Sequence, residues 1–156
     1  MNIKESVLFN NVTGLKDSNK LSINKYYKIA LPQGWSWEKF GELTNCRMGK
    51  TILTRDLISE GIPVYSATNS DNVFGFVKNS DLILKYGDIV IPARGNSIGY
   101  ATLITDKIAT CTQTTIACFP NEQIDSKYLY YCCYAFKKVW FKYSGSAIPQ
   151  ITISKI

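Results

Sequence analysis

The sequence predicts an α/β (α+β) domain built on a twisted, mainly antiparallel β-sheet with flanking helices, and three observations predict it. Short runs rich in Val, Ile, Tyr and Thr, separated by turn residues, fill the middle of the chain, which is the pattern of strands. From Asp125 onward the apolar residues step by threes and fours, the spacing of an amphipathic helix. Finally, 156 residues with 46% hydrophobic and 19% charged content suffice for one folded domain without disulfide or metal staples.

Taken in order, residues 1–30 are rich in Asn, Lys and Ser with weak periodicity, so they read as a loosely ordered lead-in with a short element near Tyr26 and Tyr27. The domain begins at about Leu31 and runs to 156. Pro32 and Gly34 make a turn, and the spacing of Trp35, Trp37, Phe40 and Leu43 predicts a short helical segment. Strands are predicted at Pro63–Ala67, Val73–Lys78, Asp88–Pro92, Tyr100–Thr105 and Thr114–Phe119. A helix follows, with Leu129, Cys132, Phe136, Val139 or Trp140, and Tyr143 on one stripe. Asp125 or Ser126 is its N-cap, because a short oxygen side chain there accepts from an otherwise unpaired N–H of the first turn. Gly145 ends it.

Eighteen Lys and Arg against twelve Asp and Glu give a net charge of +6, which favours an anionic partner. The excess sits at the ends: residues 1–30 hold five Lys against Glu5 and Asp17, and residues 121–156 hold five Lys against Glu122 and Asp125, so each end is +3 and the middle is neutral. No apolar run approaches the roughly 18 residues that span a membrane, and Met1–Asn11 lacks the basic start and apolar centre of a signal peptide. Five cysteines, odd in number and without a Cys-x-x-Cys pair, and no histidine argue against a structural zinc site and for reduced, mostly buried thiols in a cytoplasmic protein.

Catalytic signatures fail one by one. Gly49-Lys50-Thr51 resembles the tail of a phosphate-binding P-loop, but the first glycine is replaced by Thr44. Arg94–Gly99 is a glycine-flanked loop between strands rather than a dinucleotide-binding turn entering a helix. Asp125-Ser126-Lys127, with Asp106 upstream, resembles half of a metal-dependent nuclease site, yet helix capping explains the same residues. No Asn-Pro-Pro-aromatic motif of an amino-methyltransferase is present, and without histidine the usual imidazole-activated nucleophile is excluded. The expectation is a non-enzyme with no cofactor and no metal.

Binding chemistry is better represented. The aromatic and basic stretch Tyr128–Tyr143, followed by Gly145-Ser146-Ala147-Ile148-Pro149-Gln150-Ile151-Thr152, offers cations, ring faces and free backbone N–H groups suited to phosphate and base edges. Tyr65-Ser66-Ala67-Thr68-Asn69 leaves a strand with a ring, hydroxyls and an amide, and Arg94-Gly95-Asn96-Ser97 joins a cation to exposed backbone donors. The phosphate candidates are Lys50, Arg55, Arg94 and Lys142. The base-reading candidates are Tyr65, Asn69, Asn96, Gln113 and Gln150, and Ser97 completes the Arg94 loop. Apart from Gln113, these sit on loops at 49–55, 65–72 and 94–97 and around 143–150.

The order of motifs resembles one family. Leu31-Pro32-Gln33-Gly34-Trp35, Gly61-Ile62-Pro63-Val64-Tyr65, Gly87-Asp88-Ile89-Val90-Ile91 with Arg94-Gly95 and Ile98-Gly99, Tyr128-Leu129-Tyr130-Tyr131, and Gly145-Ser146-Ala147-Ile148-Pro149-Gln150-Ile151 together resemble a target recognition domain of the specificity subunit of type I restriction-modification systems. The resemblance covers Leu31–Ile156. It implies a small α/β domain that reads one half of a split double-stranded DNA target, followed by a long spacer helix, with methyltransferase subunits as partners and the restriction subunit engaged indirectly. Ile153–Ile156 resembles the lead into that helix, so the chain reads as cut before it. A lone half-reader of this size, covering roughly 600–1,000 Å² and losing about 1–3 kcal/mol per wrong base, binds weakly without partners. Two other readings fit the same residues: the recognition end of a fused restriction-methylation enzyme, and a decoy that occupies methyltransferase subunits without touching DNA.

Overall fold

A computed structural model describes residues 6–9, 33–68, 70–140, 151 and 153. Its elements are β1 (Ser6–Phe9), β2 (Trp35–Glu38), α1 (Phe40–Leu43), β3 (Thr44–Met48), β4 (Ile62–Tyr65), β5 (Gly75–Val77), β6 (Ile89–Pro92), β7 (Thr102–Leu103), β8 (Thr110–Cys111), β9 (Thr115–Pro120) and α2 (Ser126–Trp140). Single 3-10 turns lie at Thr54–Asp56 and Gly95–Ser97. The mixed, mainly antiparallel architecture is the one the sequence predicts.

Three sheets form among the described residues. A four-stranded sheet runs β3-β9-β6-β7, a three-stranded sheet runs β5-β4-β8, and β1 pairs in parallel with β2. The four-stranded sheet is wholly antiparallel, with Cys46 opposite Cys118 and Val90 opposite Ala117. In the smaller sheet β4 is antiparallel to β5 but parallel to β8.

Period-two alternation explains how the four-stranded sheet is buried on both faces. Ile89, Ile91, Ile116 and Cys118 point to one side, where they meet Phe40 and Leu43 of α1 and Leu129, Cys132 and Cys133 of α2. Val90 and Ala117 point to the other, where they meet Tyr65 and Cys111 of the smaller sheet together with Leu82, Leu84, Ile104 and Ala109. Strand β6 is therefore buried at every position and reads as a continuous apolar run. At the sheet's edge, β3 keeps Asn45 and Arg47 exposed, and such polar and charged side chains discourage further strand addition.

Two local findings refine the expectations. Trp35–Glu38 is a strand, and only Phe40–Leu43 makes a helical turn. The Trp-Ser-Trp-Glu alternation has the period of a strand, whereas Phe40 and Leu43, three apart, are both buried as a helix face requires. Asp125 caps α2: its Oδ1 accepts from the Tyr128 N–H at 2.8 Å. The Trp35 ring packs edge-on against Tyr128 with centroids 6.1 Å apart, joining β2 to the start of α2. The expected helix end at Gly145 lies outside the described residues.

Candidate nucleic-acid interface

Topology alone gathers the polar loops at one end of the scaffold. Because β3 and β6 both run antiparallel to β9, their C-terminal ends lie beside the start of β9. Because β4 runs parallel to β8, it ends beside the end of β8. The connection Thr112–Thr114 joins the end of β8 to the start of β9. The segments leaving β3, β4 and β6 therefore meet around this one turn, which acts as a hub.

Backbone hydrogen bonds fix the meeting. The Lys50 N–H donates to the Cys111 carbonyl at 2.9 Å, and the Gln113 N–H donates back to the Lys50 carbonyl at 2.7 Å. Thr112 N–H donates to the Tyr65 carbonyl and Ala93 N–H to the Thr114 carbonyl, both at 2.9 Å. On the far side of Ala93, its carbonyl accepts from the Ile151 N–H at 2.9 Å, which places Ile151 beside the start of the Arg94 loop. Gly49 is what lets β3 approach so closely. A Cβ at that position would lie 2.1 Å from the Thr112 carbonyl oxygen, far inside van der Waals contact.

Side chains add a hydroxyl network around the hub. The Ser66 and Thr112 oxygens are 3.0 Å apart, those of Thr112 and Thr114 2.8 Å, and Thr115 Oγ1 donates to the Thr112 carbonyl at 2.7 Å. At the exposed rim, Thr51 Oγ1 donates to Gln113 Oε1 at 2.8 Å. That bond leaves both Gln113 Nε2 hydrogens pointing away from the hydroxyl, so the side chain presents donors.

The structure places the sequence-nominated residues unequally. Lys50 and Arg94 are exposed on the segments that leave β3 and β6, and Gln113 is exposed on the turn at which those segments meet. Asn96 is exposed in the Gly95–Ser97 turn, which begins at a positive φ of 75° that suits glycine. Arg55 is exposed in the Thr54–Asp56 turn, on a segment that leaves the hub and reaches β5 where Ile58 pairs with Phe76. Its contact with Asp56 is 3.9 Å between side chains more than half exposed, so it ties up little of the cation. Tyr65 is different, being only 7% exposed with its hydroxyl donating to Asp106 Oδ2 at 2.7 Å. Burial, then that hydrogen bond and the Asp106 charge, push its phenol well above the ordinary value. Its ring belongs to the second core, and it is Ser66, one residue on, whose side chain faces the hub. Ser97 is also buried, at 7%. Asn69, Lys142 and Gln150 lie outside the described residues.

The hub residues Thr51, Thr112 and Thr114 carry no motif of their own. The only trace in the sequence is the run Thr110-Cys111-Thr112-Gln113-Thr114-Thr115, unusually rich in hydroxyls for a link between two buried strands. Among the described residues, no three His, Cys, Asp or Glu side chains are grouped to hold a metal ion, and no helix is long and apolar enough to cross a membrane.

A scaffold of stacked sheets with polar loops held at one end defines a class of protein that recognises through loops on a rigid frame. The family follows from the sequence: the type I restriction modification DNA specificity domain matches residues 32–156, and the chain belongs to that family. Solved structures share the fold. A type I restriction-modification complex, described by its assembly and conformational transition, is 19% identical with a TM-score of 0.63, covering 87% of this chain and 37% of that one. The type I restriction-modification S subunit from M. genitalium is 20% identical with a TM-score of 0.57, covering 74% and 30%. The HsdS subunit from Thermoanaerobacter tengcongensis is 19% identical with a TM-score of 0.59, covering 78% and 35%. The chain thus spans about a third of the length of these solved relatives. No curated protein matches it.

Proposed function

We propose that this chain reads one half of a bipartite double-stranded DNA target for a type I restriction-modification complex. The observation that carries the reading is the hub: one turn, Thr112–Thr114, ties the loops after β3, β4 and β6 into a single polar end that bears Lys50, Arg94 and Gln113. Family membership supplies the ligand class, since a DNA specificity domain needs cations for phosphates and fixed hydrogen-bonding groups for base edges. Lys50, Arg55, Arg94 and Lys142 take the phosphate role. Gln113, Asn96, Asn69 and Gln150 take the base-reading role. Methyltransferase subunits are the direct partners and carry the chemistry, the restriction subunit acts through them, and the chain works in the cytoplasm without a cofactor.

A gel-shift titration of the full chain bound to its methyltransferase subunits tests this. With about four to six phosphate contacts, log K falls with log salt at a slope of roughly −4 to −5, and Arg94→Ala makes the slope shallower by about one. Arg94→Ala leaving both affinity and slope unchanged removes that loop from the interface. Co-purification with methyltransferase subunits without any DNA binding replaces the reading with that of a decoy.

A further inference from the structure

We propose that Cys46 and Cys118 are an oxidation site: a cross-strand thiol pair that hydroperoxides convert to a disulfide pinning β3 to β9. The two residues are direct partners across the antiparallel pair, and their Sγ atoms share a hydrogen bond at 3.3 Å. Directly opposed residues of such a pair have Cα atoms roughly 4.5–5.5 Å apart, inside the roughly 4.4–6.8 Å that a disulfide spans. Rotation about the side-chain bonds, without movement of the strands, then closes the remaining gap of about 1.2 Å to the bonded distance.

Access separates the two sulfurs and orders the chemistry. Of the five thiols, only Cys46 is partly exposed, on the edge strand, while Cys111, Cys118, Cys132 and Cys133 are buried. The thiol of Cys46 is held below its ordinary value chiefly by the hydrogen bond that the Cys118 S–H gives its thiolate; burial opposes this, and a hydrogen bond with Thr44 adds to it. Burial pushes Cys118 upward, and Cys111 and Cys132 up to about 11. Cys46 is therefore the thiolate that meets the oxidant, and Cys118 is the resolving thiol behind it.

The Cys46 thiolate attacks one oxygen of the hydroperoxide: an S–O bond forms, the O–O bond breaks, and the alkoxide leaves and takes a proton as the alcohol. Cys118 then attacks the Cys46 sulfur of the sulfenic acid. The S–S bond forms, the S–O bond breaks, and the departing hydroxide takes the Cys118 proton to leave as water. Two thiols lose two electrons in total, and the peroxide bond accepts them. The site needs no reductant, metal or cofactor, and it stands independently of DNA recognition.

Treating the full chain with tert-butyl hydroperoxide, quenching with an alkylating agent and measuring intact mass tests the proposal. The expected product is about 2 Da lighter than the fully reduced chain before alkylation, takes up three alkyl groups rather than five after unfolding, and yields one linked peptide joining Cys46 to Cys118. Cys118→Ser stops at a Cys46 sulfenic acid that a dimedone probe captures, and Cys46→Ser abolishes the linked peptide and slows the loss of free thiol at least tenfold. Five thiols remaining free in the wild-type chain under conditions that oxidise a dithiol peptide control, a linkage between other cysteines, or Cys46→Ser oxidising as fast as wild type overturns it.

Discussion

Replacing Gly49 with alanine probes the hub at its tightest point. The added methyl would meet the Thr112 carbonyl oxygen at 2.1 Å, the Thr112 carbonyl carbon at 2.6 Å and the Cys111 carbonyl oxygen at 2.7 Å. All three are backbone atoms, so no side chain can swing aside, and either the end of β3 or the Thr112–Thr114 turn must move by about 1 Å to restore ordinary contact. The bonds at risk are Gly49 N–H to Thr115, Lys50 N–H to Cys111 and Gln113 N–H to Lys50. Overpacking costs about 1–3 kcal/mol, and each weakened hydrogen bond about 1 kcal/mol or less, so about 3 kcal/mol is expected in total. For a chain of this size that lowers Tm by about 6–12 °C. Calorimetry on Gly49→Ala measures it, with Gly41→Ala as the control: the latter faces open space within the α1 turn and leaves stability unchanged or raised by up to about 1 kcal/mol. A Gly49→Ala protein with wild-type Tm and DNA affinity would refute the close approach on which the hub rests.

Two further outcomes follow from single side chains. Thr51→Val removes the donor to Gln113 Oε1 at an exposed position, so Tm stays within about 2 °C while discrimination at one base pair falls by about 1–3 kcal/mol in competition binding; unchanged discrimination counts against Gln113 as a positioned reader. Asp88 is half-buried, and burial raises its carboxyl above the ordinary 3.8, opposed by the Lys85 N–H and charge. A raised folded-state pKa means that ionised Asp88 costs the folded state: its contribution is most favourable below 3.8 and is lost as pH rises through the folded value. Asp88→Asn keeps an acceptor for the Lys85 N–H without the charge. Its Tm exceeds that of wild type at pH 7, and the gap narrows toward pH 4, whereas a gap that widens on acidification contradicts the assignment.

The sequence was most legible where propensity and burial agree. Strands β4, β5, β6 and β9 were found because β-branched residues sit between glycine and proline punctuation, although the expected Val73–Lys78 and Tyr100–Thr105 shrink to Gly75–Val77 and Thr102–Leu103. Strand β3 is not legible in the sequence, because Thr-Asn-Cys-Arg-Met carries little intrinsic strand preference and is held by its register with β9. Within residues 1–30, β1 is a strand paired with β2, a long-range partnership that local composition does not announce.

The loops at 49–55, 65–72 and 94–97 were nominated from their polar and cationic content, but their meeting depends on strand directions that periodicity does not reveal. Which of two adjacent side chains faces the hub is likewise not legible from composition. Tyr65 and Ser66 are neighbours that alternate between core and hub, and choosing between them requires knowing which face is buried. The hydroxyls of Thr51, Thr112 and Thr114 carry no signal in the sequence, because threonine is common in strands for packing reasons alone.

Sequencing the methylated bases of host DNA, with the gene absent, present, or carrying Gln113→Ala or Arg94→Ala, tests the central claim most directly. The account predicts a defined split motif that is methylated only when the gene is present, a relaxed position within one half of it for Gln113→Ala, and uniformly weaker methylation of an unchanged motif for Arg94→Ala. A motif and methylation level identical in all three chains would contradict the hub as the surface that reads DNA.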